Sequence, residues 1–165
     1  MTAKELENIF QSIQKLKVMI IGDVMVDSYM RGQVNRISPE APVPVVAVNK
    51  IENRLGGAAN VALNVQSLGA EPIIFTVIGN DEKGSLFNDL MKKQNLSAEG
   101  VILSNSRKTT VKTRILSGSS QMLRVDEEID TPLNQADENA MIASIKDRIE
   151  KQDIDIIIFE DYDKG

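Results

Sequence analysis

Hydrophobic and polar positions alternate with two different periods along this chain, and the switches between them mark out the elements. Leu6, Ile9, Phe10, Ile13 and Leu16 recur at helical spacing, so residues 2–16 are predicted to form a short amphipathic helix. Val18-Met19-Ile20-Ile21 follows as an unbroken apolar run closed by Gly22-Asp23. Its continuity predicts a strand buried on both faces, as in the interior of a mainly parallel sheet. Between residues 24 and 50 the pattern changes. Gly32, Pro39, Pro42 and Pro44 punctuate it, and Val43-Pro-Val-Val-Ala-Val reads as a strand that its proline confines to an edge or a peripheral sheet.

Beyond that segment, Gly56-Gly57 opens a helix from about Ala58 to Leu68, which Gly69 closes as a C-terminal cap. Pro72–Ile78 is predicted as a second buried strand. Glu82–Gln94 is predicted as a helix with Leu86, Leu90 and Met91 turned inward, and Val101–Leu103 as a short strand. Thr109–Leu116 and Gln121–Glu127 flank Ser117-Gly-Ser-Ser and read as a hairpin. Asn134–Lys151 carries Met141, Ile142, Ile145 and Ile149 as an apolar helical stripe, and Ile154–Phe159 is the third strand expected to be buried. Buried strands alternating with helices predict a doubly wound α/β sheet with helices on both faces. The polar-alternating segments at 29–48 and 109–127 do not suit such a core and predict a separate small antiparallel β flap.

Composition narrows the chemistry. The 165 residues are 42% apolar and 26% charged, which suits one domain with a real core. Histidine and cysteine are both absent, which excludes zinc sites built on those ligands, Cys or His nucleophiles, Ser-His-Asp triads and disulfides. No metal-ligand set is expected in the chain. A net charge of −5 makes nucleic acid a poor partner. No apolar stretch is long enough to span a bilayer, and Met1–Lys17 is charged rather than signal-like, so a cytoplasmic location is expected.

Three constellations remain as candidates. Gly56-Gly57-Ala58-Ala59-Asn60 opens a helix, so backbone can approach a ligand closely and Asn60 can both donate to and accept from a sugar hydroxyl; a plain tight turn accounts for the same residues. Asp27 follows the first buried strand, where open α/β sheets bind ligands, and could grip two hydroxyls of a polyol; a capping aspartate is the alternative. Lys112 and Arg114 share one face of a predicted strand, and Arg124 and Asp126 share a face of the next. Converging cations there would bind phosphate, while solvated strand residues would give the same pattern.

Together these motifs resemble a known family. Gly56-Gly-Ala-Ala-Asn60-Val-Ala62, six residues, Gly69, nine residues and Gly79 fit the N-terminal signature of the ribokinase-like (PfkB) carbohydrate kinases across 24 residues. Arg36-Ile-Ser-Pro-Glu-Ala-Pro-Val-Pro44, Leu123-Arg-Val-Asp126 and Asp161-Tyr-Asp-Lys164-Gly165 are similar to the branch that phosphorylates D-glycero-β-D-manno-heptose 7-phosphate on its anomeric hydroxyl, for ADP-heptose and lipopolysaccharide core synthesis.

The resemblance implies that residues 1–165 are the N-terminal half of one kinase domain, with members running to about twice this length. It places the G-A-G-D motif with its catalytic Asp, an N-x-x-E motif and most of the nucleotide site beyond Gly165. No catalytic residue is therefore expected within the chain, and the chain alone is expected to be inactive. The resemblance also implies Asp27, Gly56, Gly57 and Asn60 as sugar contacts, Lys112, Arg114 and Arg124 as candidates for the substrate phosphate, and Lys164 toward the cofactor. ATP and Mg²⁺ are the implied cofactors, a sugar phosphate the implied small-molecule partner, and a homodimer through the β lid the implied assembly. Met25 stands where ribose kinases often carry Asn, which argues against ribose. Another ribokinase-like kinase acting on fructose, ribose or a nucleoside, or a catalytically empty sugar-binding and dimerising module, are the alternatives.

Overall fold

The computed structural model describes residues 1–151 and 153–164; Gly165, the last residue of the Asp161–Gly165 motif, lies outside the described residues. In chain order the elements are α1 (Ala3–Ile13), β1 (Lys17–Gly22), β2 (Val24–Ile37), β3 (Pro44–Gly57), α2 (Ala58–Ser67), β4 (Glu71–Gly79), α3 (Glu82–Lys93), β5 (Ser97–Ser104), β6 (Val111–Ser117), β7 (Ser120–Glu127), α4 (Gln135–Glu150) and β8 (Ile156–Glu160). They build two four-stranded sheets, a core sheet ordered β5-β4-β1-β8 and a lid sheet ordered β3-β2-β6-β7.

Every pairing in the core sheet is parallel, as the continuous apolar runs require. Side-chain alternation along each strand splits those runs between two layers. Val18 and Ile20 of β1, with Ile74 and Ile78 of β4, face a cluster that includes Ala58, Ala59 and Ala62 of α2 and Phe87 and Met91 of α3. Met19, Ile73 and Phe75 point the other way, onto Met141 and Ile145 of α4. Helices therefore cover both faces, as expected. Asp81 joins this core to the lid. It caps α3 by accepting from the Gly84 amide at 2.7 Å, and takes the Thr109 amide at 2.9 Å and hydroxyl at 2.8 Å just before β6.

Three expectations need correction. The lid is mixed rather than antiparallel. Its two hairpins, β2/β3 and β6/β7, are antiparallel, but the central pair β2/β6 is parallel because both strands leave the core in the same direction. The lid strands also reach deeper than 29–48, since β2 starts at Val24 and β3 runs to Gly57. The second correction concerns β8, which is an edge strand with β1 as its neighbour; Phe159 is 73% exposed and only Ile158 packs on the larger cluster. Third, the apolar stripes of the first and last helices are only half used. Met141 and Ile145 pack, whereas Ile142, Ile149, Leu6, Ile9 and Phe10 stay exposed.

Smaller features follow the sequence closely. Pro44 begins β3, an edge strand, where its missing amide costs no ladder bond. Gly69 sits just past α2 with φ 95°, the left-handed conformation expected of a C-terminal cap, and Gly118 turns the β6/β7 hairpin with φ 59°. No helix among the described residues is long and apolar enough to cross a membrane.

Candidate functional site

The lid sheet carries its charge on one face, and cross-strand register sets that charge in rows. Arg54, Asp27, Lys112 and Asp126 stand side by side on β3, β2, β6 and β7, and Glu52, Tyr29, Arg114 and Arg124 form the next row outward. In the first row neighbouring positions carry opposite charges, which favours this register, whereas in the second Arg114 and Arg124 are like charges side by side. Arg114 Nη1 donates to Asp27 Oδ1 at 2.5 Å, a charge-assisted contact between two half-buried side chains. The Asp27 carboxylate beside it, against partial burial, raises the Arg114 value above that of a free guanidinium. The guanidinium carbons of Arg54, Arg114 and Arg31 also lie 5.1, 5.3 and 5.9 Å from the centre of the Tyr29 ring.

Gly56 and Gly57 end β3 opposite Met25 and Val24, at the root of this charged face. A Cβ on Gly56 would lie 2.6 Å from Asp27 Oδ2 and 2.8 Å from Met25 Cγ, so any side chain there must push the carboxylate or Met25 aside. Gly57 adopts φ 60°, and a Cβ there would strike the Asp23 carbonyl oxygen. That same carbonyl accepts from the Ala58 amide at 2.9 Å and starts α2. Gly57 contributes no capping side chain, and Ala58 and Ala59 behind it are fully buried. Asn60 is exposed in the first turn of α2, three residues past Gly57.

The remaining predicted residues are joined by ion pairs. Lys112 Nζ reaches Asp126 at 2.9 Å and Glu128 at 3.1 Å; Arg124 Nε reaches the other oxygen of Asp126 at 2.9 Å. Lys164 lies apart from the lid face but meets Glu128 at 3.1 Å. It also lines a cavity of about 270 Å³ at the carboxyl ends of β1, β4 and β8, with Asp23 and Arg107. Open α/β sheets bind ligands at that end. Thus Asp27, Gly56, Lys112, Arg114 and Arg124 come together on and beside one face, Asn60 stands at its foot, and Lys164 faces a neighbouring cavity.

Sequence reasoning missed Asp23, Arg107 and Glu128. Asp23 Oδ2 accepts from the amides of Tyr162 at 2.9 Å and Lys164 at 3.2 Å. Arg107 donates to the carbonyls of Thr131 and Ile129, each at 3.0 Å, and to that of Lys164. Asp23 had a positional signal, since it directly follows the first buried strand. Glu128 had none, because its partner lies 36 residues away and meets it only through the tertiary fold.

These ion pairs carry a pH signature. Lys112 first, with Arg124, holds the Asp126 carboxyl below its ordinary value; Lys164 first, with Lys112, does the same for Glu128, in each case against partial burial. The resulting stabilisation is complete above the unfolded-chain values and is lost as pH falls through the depressed folded ones. In the full-length gene product, the denaturant midpoint of Glu128→Gln is therefore expected to lie below wild type at neutral pH and to converge on it in acid. A gap that is independent of pH would contradict this assignment.

The architecture is thus a parallel α/β core sheet with a cavity at its carboxyl end and a second, charged β sheet that Glu128 and Lys164 tie to it. Comparison with known proteins gives this architecture a family. Residues 15–154 match the pfkB family carbohydrate kinases, and the chain belongs to that family. The chain is 43% identical over 149 residues to the bifunctional protein HldE of Helicobacter pylori strain J99, covering 90% of the chain and 32% of that protein. It is 37% identical over all 165 residues to the bifunctional protein HldE of Citrifermentans bemidjiense, covering 34% of it. The chain thus spans about a third of the length of these relatives. Among solved structures, Arabidopsis thaliana ribokinase complexed with ribose and ATP aligns with a TM-score of 0.56 at 14% identity, over 87% of this chain and 53% of that one. A ribokinase-family nucleoside kinase from Methanocaldococcus jannaschii aligns at 0.51 and 18%, over 67% and 36%. Both likenesses concern the fold.

Proposed function

We propose that the gene product is an ATP-dependent sugar-phosphate kinase that transfers the γ-phosphoryl group to the anomeric hydroxyl of D-glycero-β-D-manno-heptose 7-phosphate, giving the 1,7-bisphosphate for ADP-heptose and lipopolysaccharide core synthesis. The observation that carries this reading is the lid face, where Asp27, able to accept from sugar hydroxyls, stands beside Arg114 and within one or two strands of Lys112 and Arg124. Arg114, Lys112 and Arg124 are held in place by Asp27, Asp126 and Glu128, and a phosphate monoester, unlike an unphosphorylated sugar, brings an anion that competes for them. The similarity to HldE proteins supports the same substrate class.

In this reading Gly56 and Gly57 let backbone approach the sugar, Asp27 and Asn60 hold its hydroxyls, and Arg114, with Lys112 and Arg124, meets the phosphate. Lys164 and the neighbouring cavity lie toward the nucleotide, and Lys164 brings an ammonium that suits a phosphate oxygen. ATP, with magnesium, supplies the phosphoryl group. The opposite lid face supports a homodimer. Ile51, Met30, Ile115 and Leu123 form an apolar row across all four strands, with Ile51 and Leu123 exposed. A cytoplasmic location suits the nucleotide and sugar-phosphate substrates.

The test is an ADP-release assay on the full-length gene product with heptose 7-phosphate, fructose, ribose and adenosine. Turnover with the heptose phosphate well above the others is expected. Preference for an unphosphorylated acceptor would replace the substrate assignment, and no turnover with any would favour a binding module.

A further inference from the structure

Charge on the lid does not stop at the lid. Arg124, Asp126, Lys112, Glu128 and Lys164 form one chain of alternating sign, each contact between 2.9 and 3.1 Å. It starts on β7, crosses to β6, passes through Glu128 just beyond β7 and ends in the loop after β8. The two lysines keep only 13% and 18% of their side-chain exposure, so solvent screens the inner contacts less than ordinary surface pairs.

Glu128 is the shared member. One of its oxygens meets Lys112 and the other meets Lys164. Both neighbours hold its carboxyl in the ionised form, Lys164 the more strongly. The backbone of Lys164 is fastened separately, its amide by Asp23 and its carbonyl by Arg107. Only the ammonium can therefore change partners without moving the loop.

We propose that Glu128 is a positioning residue that couples the acceptor side of the site to the nucleotide side by dividing its carboxylate between Lys112 and Lys164. An anion that draws Lys112 away leaves Glu128 wholly to Lys164, and Lys164 is then less available to a nucleotide phosphate. By thermodynamic reciprocity, a nucleotide on Lys164 turns Glu128 toward Lys112 and weakens acceptor binding by the same factor. The proposal rests on the reading that Lys164 faces the nucleotide.

The experiment measures the affinity of the full-length gene product for a fluorescent ATP analogue without sugar, in wild type, Lys112→Gln, Glu128→Gln and the double variant. Lys112→Gln alone is expected to weaken binding about threefold to tenfold, because the freed Glu128 clamps Lys164. In the Glu128→Gln background the same change should have less than about a twofold effect. Arg124→Gln, at an exposed position that a folded protein tolerates, should weaken binding in the same direction by less, and should also lose its effect without Glu128. A general field effect of removing positive charge would instead add equally in both backgrounds. Equal effects with and without Glu128, or no effect of either Lys112→Gln or Arg124→Gln, overturn the coupling. A wild-type protein that binds no nucleotide overturns the kinase reading beneath it, so the two failures are distinguishable.

Discussion

Asp27→Asn in the full-length gene product is expected to raise the KM for the sugar acceptor about tenfold to hundredfold while changing the KM for ATP by less than about threefold. The substitution keeps the size of the side chain and removes its charge. A hydrogen bond to a charged group contributes roughly 1.5–3 kcal/mol, which sets that range. Loss of the 2.5 Å contact to Arg114 acts in the same direction, because the guanidinium is then no longer held beside the sugar. ATP is read as binding on the Lys164 side, so its KM serves as the internal control. Gly56→Ala offers a geometric counterpart. Its Cβ would stand 2.6 Å from Asp27 Oδ2, so the carboxylate must shift although its charge is untouched, and the acceptor KM should again rise selectively. Steady-state kinetics with each substrate varied in turn decides the matter. Equal damage to both KM values would assign Asp27 a folding role, and a wild-type profile would leave it only the counter-ion of Arg114.

Much of the fold was legible because local pattern and tertiary burial agree in the core. Val18-Met19-Ile20-Ile21 is apolar at every position, and the structure uses both of its faces, Ile20 toward α2 and α3 and Met19 toward α4. The lid was legible as a separate unit but not in its pairing. Hairpins announce themselves through turns such as Ser117–Ser120, whereas the parallel β2/β6 contact pairs residues about 85 apart, as in Val26 with Val111, and leaves no local signal. Ile156–Phe159 is apolar throughout, and among the described residues β8 has β1 on one side and no strand on the other, in a chain that spans about a third of its relatives' length.

The site divides along the same line. Gly56, Gly57 and Asp27 were found because a glycine pair before a helix and an acid after a strand are local signals. The structure adds that Gly56 and Asp27 are in mutual contact range, a consequence of the β2/β3 register. Period-two spacing put Lys112 and Arg114 on one face correctly. It could not reveal that Arg114 pairs with Asp27, or that Lys112 is shared by two acids, because those partners come from β2, from β7 and from just beyond β7. Charges in sequence mark candidates; counter-ions are assigned by packing.

Those counter-ions sharpen what Arg114→Gln should do. Because Arg114 holds Asp27, the variant is expected to weaken binding of phosphorylated and unphosphorylated heptose alike through the displaced carboxylate. If Arg114 also meets the substrate phosphate, the phosphorylated sugar loses a further charge-assisted contact, and the ratio of the two affinities falls about tenfold to hundredfold. The ratio is therefore the readout, since it cancels the shared loss. Lys112→Gln and Arg124→Gln should move it in the same direction by less, Lys112 because Asp126 and Glu128 already compete for its ammonium, and Arg124 because it is 51% exposed. The contribution of Arg124 should fade first with salt, as the Debye length shrinks from about 10 Å at 0.1 M to about 3 Å at 1 M. Calorimetric titration of both sugars into wild type and each variant, at two ionic strengths, provides the measurement. A ratio unchanged in all three variants would move the phosphate contact off the lid and leave Arg114 with the single task of holding Asp27.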